Sequence, residues 1–223
     1  MVKSKDFLEA KRSDRIKIVK KESLMKQKRQ SVQKKEAVLK AAMGEFLSHG
    51  YAAANMDRIA TEAKVSKATV YSYFGDKHGL FTGLIEQLAE EKFTSVLNHQ
   101  SLDFATQPPE MVFRHIITNA LKQSREDPQL HDFMRLIIGE SGRFPELAQV
   151  YLSHIVKPAL KILTGYIDNQ SYMSFKDSEA TIRIMMGSIV YFVILQEILG
   201  GKEIIPFEQE RLIDTLIELL TKS

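Results

Sequence analysis

A chain of 223 residues with a formal net charge of +3 is long enough for a small domain beside a larger one with its own core, and its lack of cysteine excludes disulfides, thiolate zinc sites and thiol catalysis. The small net charge hides an asymmetry: residues 1 to 35 hold 13 Lys or Arg against 4 Asp or Glu, a net of +9, which leaves −6 on the remainder. Neither a run of eighteen apolar residues nor a signal-type hydrophobic segment is present, so a soluble, cytoplasmic chain with no membrane partner is expected.

In chain order, residues 1–33 come first, a basic extension with scattered Phe7, Leu8, Ile16, Ile18, Val19, Leu24 and Met25 and no Gly or Pro. It could prolong the first helix backwards, form a separate helix, or remain a solvated and frayed extension. Next, Val38, Leu39, Ala42, Met43, Phe46 and Leu47 recur at three and four residues, which predicts a supporting helix that Gly50 ends. Asn55 is placed to cap a helix through Ala63, with Met56, Ile59, Ala60 and Ala63 at apolar spacing. Lys64 and Val65 form a turn.

Ser66 then caps a very short helix that Gly75 stops, about seven residues or roughly 10 Å long at 1.5 Å per residue. Val70 and Phe74, four apart, share the face that must be buried. At 100° per residue Ala68 and Ser72 point the other way, flanked by Thr69 and Tyr71. A helix buried for its own sake would carry large aliphatics there. One that enters a DNA major groove needs low bulk and hydrogen-bonding groups near its N-terminal end. Two short helices joined in this way constitute a predicted helix-turn-helix.

From about Glu36 to Phe81 the chain resembles the tetracycline-repressor-like (TetR) family of bacterial regulators. The resemblance rests on Ala41-Ala42, Phe46, Gly50-Tyr51, Ile59-Ala60, Ala63, Val65-Ser66, Thr69, Tyr71, Tyr73-Phe74, Lys77 and Leu80-Phe81. It implies that Asn55, Tyr71, Tyr73 and Lys77 hold phosphates while Lys67, Ala68 and Ser72 face base edges, with Ser66 and Thr69 completing the DNA-binding set. Two positions depart from the pattern. Lys64 stands where the family often has Gly, and because Lys adopts a positive φ less readily, an ordinary right-handed or mildly strained turn is expected. His78 stands where an acid is common. The basic extension could reach DNA beyond the main contact as an arm.

Beyond Phe81 only helical patterns follow. Asp76 can cap a helix from Lys77 to about Asn98; Pro108-Pro109 starts one to about Arg125; Asp127-Pro128 starts another to about Glu140. Phe144-Pro145 begins a third, which Pro158 should kink or split. Ser178 caps an apolar helix through Ile198, stopped by Gly200-Gly201, and Pro206 precedes a last helix ending near Leu220. The run Arg135 to Tyr151 is similar to the C-terminal domain of one TetR subgroup. The expected fold is therefore all-α: an N-terminal three-helix helix-turn-helix domain (34–80) after the basic extension (1–33), then a C-terminal helical ligand-binding and dimerisation domain (81–223).

Apolar residues cover nearly the whole circumference of the helix from Ala180 to Leu199, so it must be buried on most sides. If the last two helices pack one face on their own chain and the other on a twofold mate, a homodimer results, reading double-stranded DNA as a palindrome. A small apolar or amphipathic effector is expected in a pocket lined by Phe113, Ile117, Leu121, Phe133, Met134, Ile137, Tyr151 and Met185, with His115, Arg135, Arg143 and Tyr191 as candidate anchors. For each of those apolar residues, ordinary core packing is the commoner role and outweighs ligand contact. No phosphate loop, HExxH pair or GxSxG elbow is found, so no enzyme, cofactor or metal is expected. The rival reading is an all-helical small-molecule-binding dimer without a DNA role, which leaves the surface from Ser66 to Lys77 unexplained.

Overall fold

The structure, a computed structural model, describes residues 3–96, 107–170 and 175–221. Every regular element among them is a helix: α1 (Lys3–Ala53), α2 (Met56–Glu62), α3 (Lys67–Phe74), α4 (Lys77–Val96), α5 (Pro109–Glu126), α6 (Pro128–Glu140), α7 (Pro145–Tyr151), α8 (Lys157–Asp168), α9 (Ser178–Val193) and α10 (Gln209–Thr221). The expected end of α4 near Asn98 lies outside the described residues. The chain divides into two compact units, Met1–Glu45 with Ala54–Leu80, and Phe46–Ala53 with Phe81–Ser223.

In the first unit the basic extension continues into the supporting helix. Helix α1 stays helical from Lys3 up to a break at Gly50, about 70 Å at 1.5 Å per residue. Its later part is buried through Val38, Leu39, Ala42 and Met43, while Lys21 to Glu36 are exposed. The apolar spacing of α2 buries Met56, Ile59 and Ala60, and α3 buries Val70 completely. Each aliphatic side chain so removed from water contributes about 1.5–3 kcal/mol.

In the second unit the end of α1 leaves helical geometry at Gly50 (φ 73°, ψ 168°), a conformation that disfavours any side chain. Tyr51 then enters an aromatic cluster, stacked on Phe46 at 5.6 Å and edge-on to Phe81 (5.7 Å) and Phe144 (5.1 Å). Phe81 in turn stacks on Phe133 of α6 at 5.5 Å. The Tyr51 N–H donates to Glu140 Oε1 at 3.2 Å, so the last residue of α6 holds the chain where it turns.

The remaining core of this unit joins α5, α8, α9 and α10 through Val112, Phe113, Ile117, Leu163, Ile167, Ile182, Ile213 and Leu216 among others. The helix begun at Phe144-Pro145 is split ahead of Pro158, as expected: a π-helical turn, Leu152–Val156, separates α7 from α8. The widened turn accommodates a ring that cannot donate to the carbonyl four residues back. One expectation needs correction: the cap of α9 is Asp177, whose carboxylate accepts from Ala180 N–H at 2.9 Å, one residue before the expected Ser178. A single chain buries Ile182 and Met185 of α9 and leaves Ile184, Val190 and Tyr191 67%, 50% and 64% exposed. The stretch Ser178–Ile198 is long and apolar enough by composition to cross a membrane, with only 17% of that window buried within the chain.

Candidate nucleic-acid interface

The turn between α2 and α3 is closed by backbone geometry. Asn55 caps α2 by accepting from Asp57 N–H at 2.7 Å. At the other end, Val65 N–H donates to Ala60 O (3.0 Å) and Lys64 N–H to Thr61 O (3.1 Å), the paired bonds of a Schellman motif. That motif needs a left-handed residue, and Lys64 supplies it at φ 56°, so of the two expected geometries the turn takes the mildly strained one and not the right-handed one. The two bonds offset a steric cost of about 1–2 kcal/mol.

Ser66 caps α3 by accepting from Thr69 N–H at 3.1 Å, and Gly75 ends it at φ 75°. With Val70 buried on the inner side, Lys67, Ala68, Tyr71 and Ser72 are exposed, Tyr71 to 42%. The nine expected DNA contacts gather on and beside this helix. Six of them (Asn55, Ser66, Lys67, Ala68, Tyr71, Ser72) are exposed, and Thr69, Tyr73 and Lys77 are half-buried. Thr69 shares a hydroxyl contact with Ser66 at 2.8 Å, and Lys77 Nζ donates to Ala54 O at 3.3 Å, which ties the start of α4 to the start of α2.

Three partners were not legible in the sequence. Lys67 Nζ lies 2.8 Å from an Asp57 carboxylate oxygen, and this hydrogen bond raises the ammonium pKa. The buried Glu45 carboxylate accepts from Asn55 N–H at 2.8 Å and from Arg58 Nε at 2.9 Å, raising the guanidinium pKa and fixing the entry to α2. An acid three residues from Ala42 and four from Ala41, on the edge of an apolar stripe, was the available signal. Finally, the Tyr73 hydroxyl lies 3.0 Å from Ser31 Oγ, on the basic part of α1.

The expected effector residues separate into groups. Phe113, Ile117, Leu121 and Met185 are fully packed in the α5–α8–α9–α10 core, whereas Phe133 and Ile137 are buried on α6. Met134 and Tyr151 are half-buried, and desolvation pushes the Tyr151 phenol above its ordinary pKa. The polar anchors do not converge. Arg135 pairs with Asp132 and donates to Ile198 O, Arg143 lies over the Phe144 ring, and His115 contacts Asn119. Tyr191 lines an open cleft of about 500 Å³ with Phe192, Leu195, Ile205 and Phe207.

A capped pair of short helices with a small polar outward face defines a helix-turn-helix protein. Comparison with known proteins agrees: residues 38–84 match bacterial regulatory proteins of the tetR family, and residues 115–219 match the AefR-like transcriptional repressor C-terminal domain. The chain belongs to the tetR family and is a DNA-binding transcriptional regulator. It is 43% identical over 53 residues to the HTH-type transcriptional repressor SCO4008 of Streptomyces coelicolor, a stretch covering 24% of this chain and 28% of that one. It is 28% identical over 142 residues to the HTH-type regulator YhgD of Bacillus subtilis (63% and 68% covered). Among solved structures, the flavonoid-responsive regulator FrrA superposes with a TM-score of 0.69 at 27% identity, covering 85% of this chain and 95% of that one.

Proposed function

We propose that two copies of this chain occupy a palindromic operator through paired α3 helices, and that a small apolar or amphipathic effector releases them, making it a ligand-responsive repressor in the cytoplasm. The observation that carries this reading is the outward face of α3, where Lys67, Ala68 and Ser72 stand exposed on a helix anchored by buried Val70. Lys67, Ala68 and Ser72 face base edges, and Asn55, Tyr71, Tyr73 and Lys77 hold phosphates, with Ser66 and Thr69 shaping the helix start. One eight-residue helix reads too few bases for specificity; two, about 34–36 Å apart, read a palindrome. The uncovered apolar side of α9 supports the dimer, because Ile184, Val190 and Tyr191 remain exposed in a single chain.

The effector acts through the domain 81–223, distinct from the helix-turn-helix domain 34–80 and the extension 1–33. It binds near Phe113, Ile117, Leu121, Phe133, Met134, Ile137, Tyr151 and Met185, and must favour one of two separations of the reading helices to have any effect. That FrrA responds to flavonoids supports an apolar, aromatic effector class. A helical small-molecule-binding dimer without a DNA role leaves the exposed face of α3 without a purpose. The test is selection of bound fragments from a random duplex pool, followed by gel shift. An inverted repeat is expected, with Tyr71→Ala weakening binding to all sequences and Lys67→Ala altering base preference. If neither substitution changes binding, the assignment of α3 is wrong.

A further inference from the structure

We infer that the exposed stretch of α1 ahead of the helix-turn-helix core, residues 21–36, is a second DNA-contacting surface that grips the sugar–phosphate backbone flanking each half-site, with Lys28 and Lys35 as its leading contacts. The inference rests on the DNA reading above and extends it to a part of the chain that the family match at residues 38–84 does not cover. Its anchor is the pair of contacts between α1 and α3: Ser31 Oγ lies 3.0 Å from the Tyr73 hydroxyl, and that hydroxyl also donates to the Ser31 carbonyl at 3.3 Å. The extension is therefore tied beside the helix that reads DNA, in the same compact unit.

Helical register then selects the charges. Lys28 and Lys35, three residues before and four after Ser31, share its side of the helix. Residues 21–36 hold 6 Lys or Arg and two acids, Glu22 and Glu36. Glu22 sits nine residues before Ser31, half a turn out of register at about 100° per residue, and Glu36 five residues after it, about 140° away, so the side tied to α3 carries cations without a competing carboxylate. All of residues 21–36 are exposed, so this cationic surface builds none of the protein core. Leu24, Met25 and Val32 are too few to make a stripe that a lipid surface or a partner helix would bury. A phosphate backbone matches what is present: it needs cations and no apolar seam. Sixteen residues at about 1.5 Å each span about 24 Å, some seven base pairs of backbone.

The test uses the full chain and a duplex recovered by selection, in a short form and a form extended by one helical turn on each side. Two variants remove equal charge: Lys28→Gln/Lys35→Gln on the tied side, and Lys26→Gln/Arg29→Gln on the opposite side. Gln keeps helix propensity. Affinity is read by fluorescence anisotropy against salt. For the tied-side pair, the log–log salt slope should fall by about 0.9 per lost contact, nearly two in all, and the advantage of the extended duplex should vanish. The opposite pair should change the slope by less than half as much. Equal slopes for both pairs, no change in either, or wild-type binding to phosphatidylserine vesicles together with indifference to flanking DNA would overturn the inference while leaving the α3 assignment intact. Failure of the wild-type chain to bind the short duplex overturns this inference along with the reading on which it rests.

Discussion

Replacing Gly50 with Ala tests the junction at the end of α1 most directly. At φ 73° and ψ 168° the backbone lies in a region that is almost glycine-only, and a Cβ there would meet Glu140 Oε1 at 2.8 Å. The backbone strain alone costs about 1–3 kcal/mol. Displacing the Glu140 carboxylate also loses its bond to Tyr51 N–H, and a part-buried donor left unsatisfied costs about 1–3 kcal/mol more. We expect Gly50→Ala to destabilise the chain by about 2–6 kcal/mol. In a protein of this size that lowers Tm by about 4–24 °C. The two contributions separate in a cycle. Against a Glu140→Ala background there is no carboxylate to strike, so Gly50→Ala should cost only the backbone part, about 1–3 kcal/mol. Thermal and urea unfolding followed by circular dichroism give the four stabilities. A Gly50→Ala chain within about 0.5 kcal/mol of wild type would refute the reasoning, since no side-chain motion can relieve a backbone in that region.

Glu45→Ala should destabilise the helix-turn-helix unit by about 1–3 kcal/mol by orphaning the Asn55 N–H, while Glu45→Gln, which keeps an acceptor, should cost less; unfolding midpoints compare the two. Asp57→Asn releases Lys67 from its carboxylate and removes a charge that repels phosphate, so DNA affinity should rise several-fold, most at low salt; unchanged binding by anisotropy would mean the pair stays intact on DNA. Ile184→Glu with Val190→Glu should turn a dimer into a monomer in sedimentation with little loss of helicity, because both side chains are exposed in the single chain. For Tyr151 the folded pKa lies above the unfolded one, near 10. Its contribution is therefore present below that value and lost as pH rises through the folded pKa; Tyr151→Phe should flatten this alkaline loss in urea midpoints.

The local chemistry of the sequence determined most of the helix-turn-helix. Asn55, Ser66, Asp76 and Gly75 are signals whose hydrogen bonds close within three or four residues, and all four act at the expected helix ends. Apolar spacing likewise determined which sides of α1, α2 and α3 turn inward, since periodicity is a property of one helix alone, although Phe74 and Ala63 are only half-buried. Tertiary structure decided what depends on a second segment. The bonds from Glu45 to Asn55, Glu140 to Tyr51 and Ser31 to Tyr73 join residues 10, 89 and 42 apart, distances over which no repeat in the sequence can report. The uncovered side of α9 belongs to the same class. Hydrophobicity states that a helix must be covered, but only the packing of the chain shows which part it covers itself and which part stays exposed.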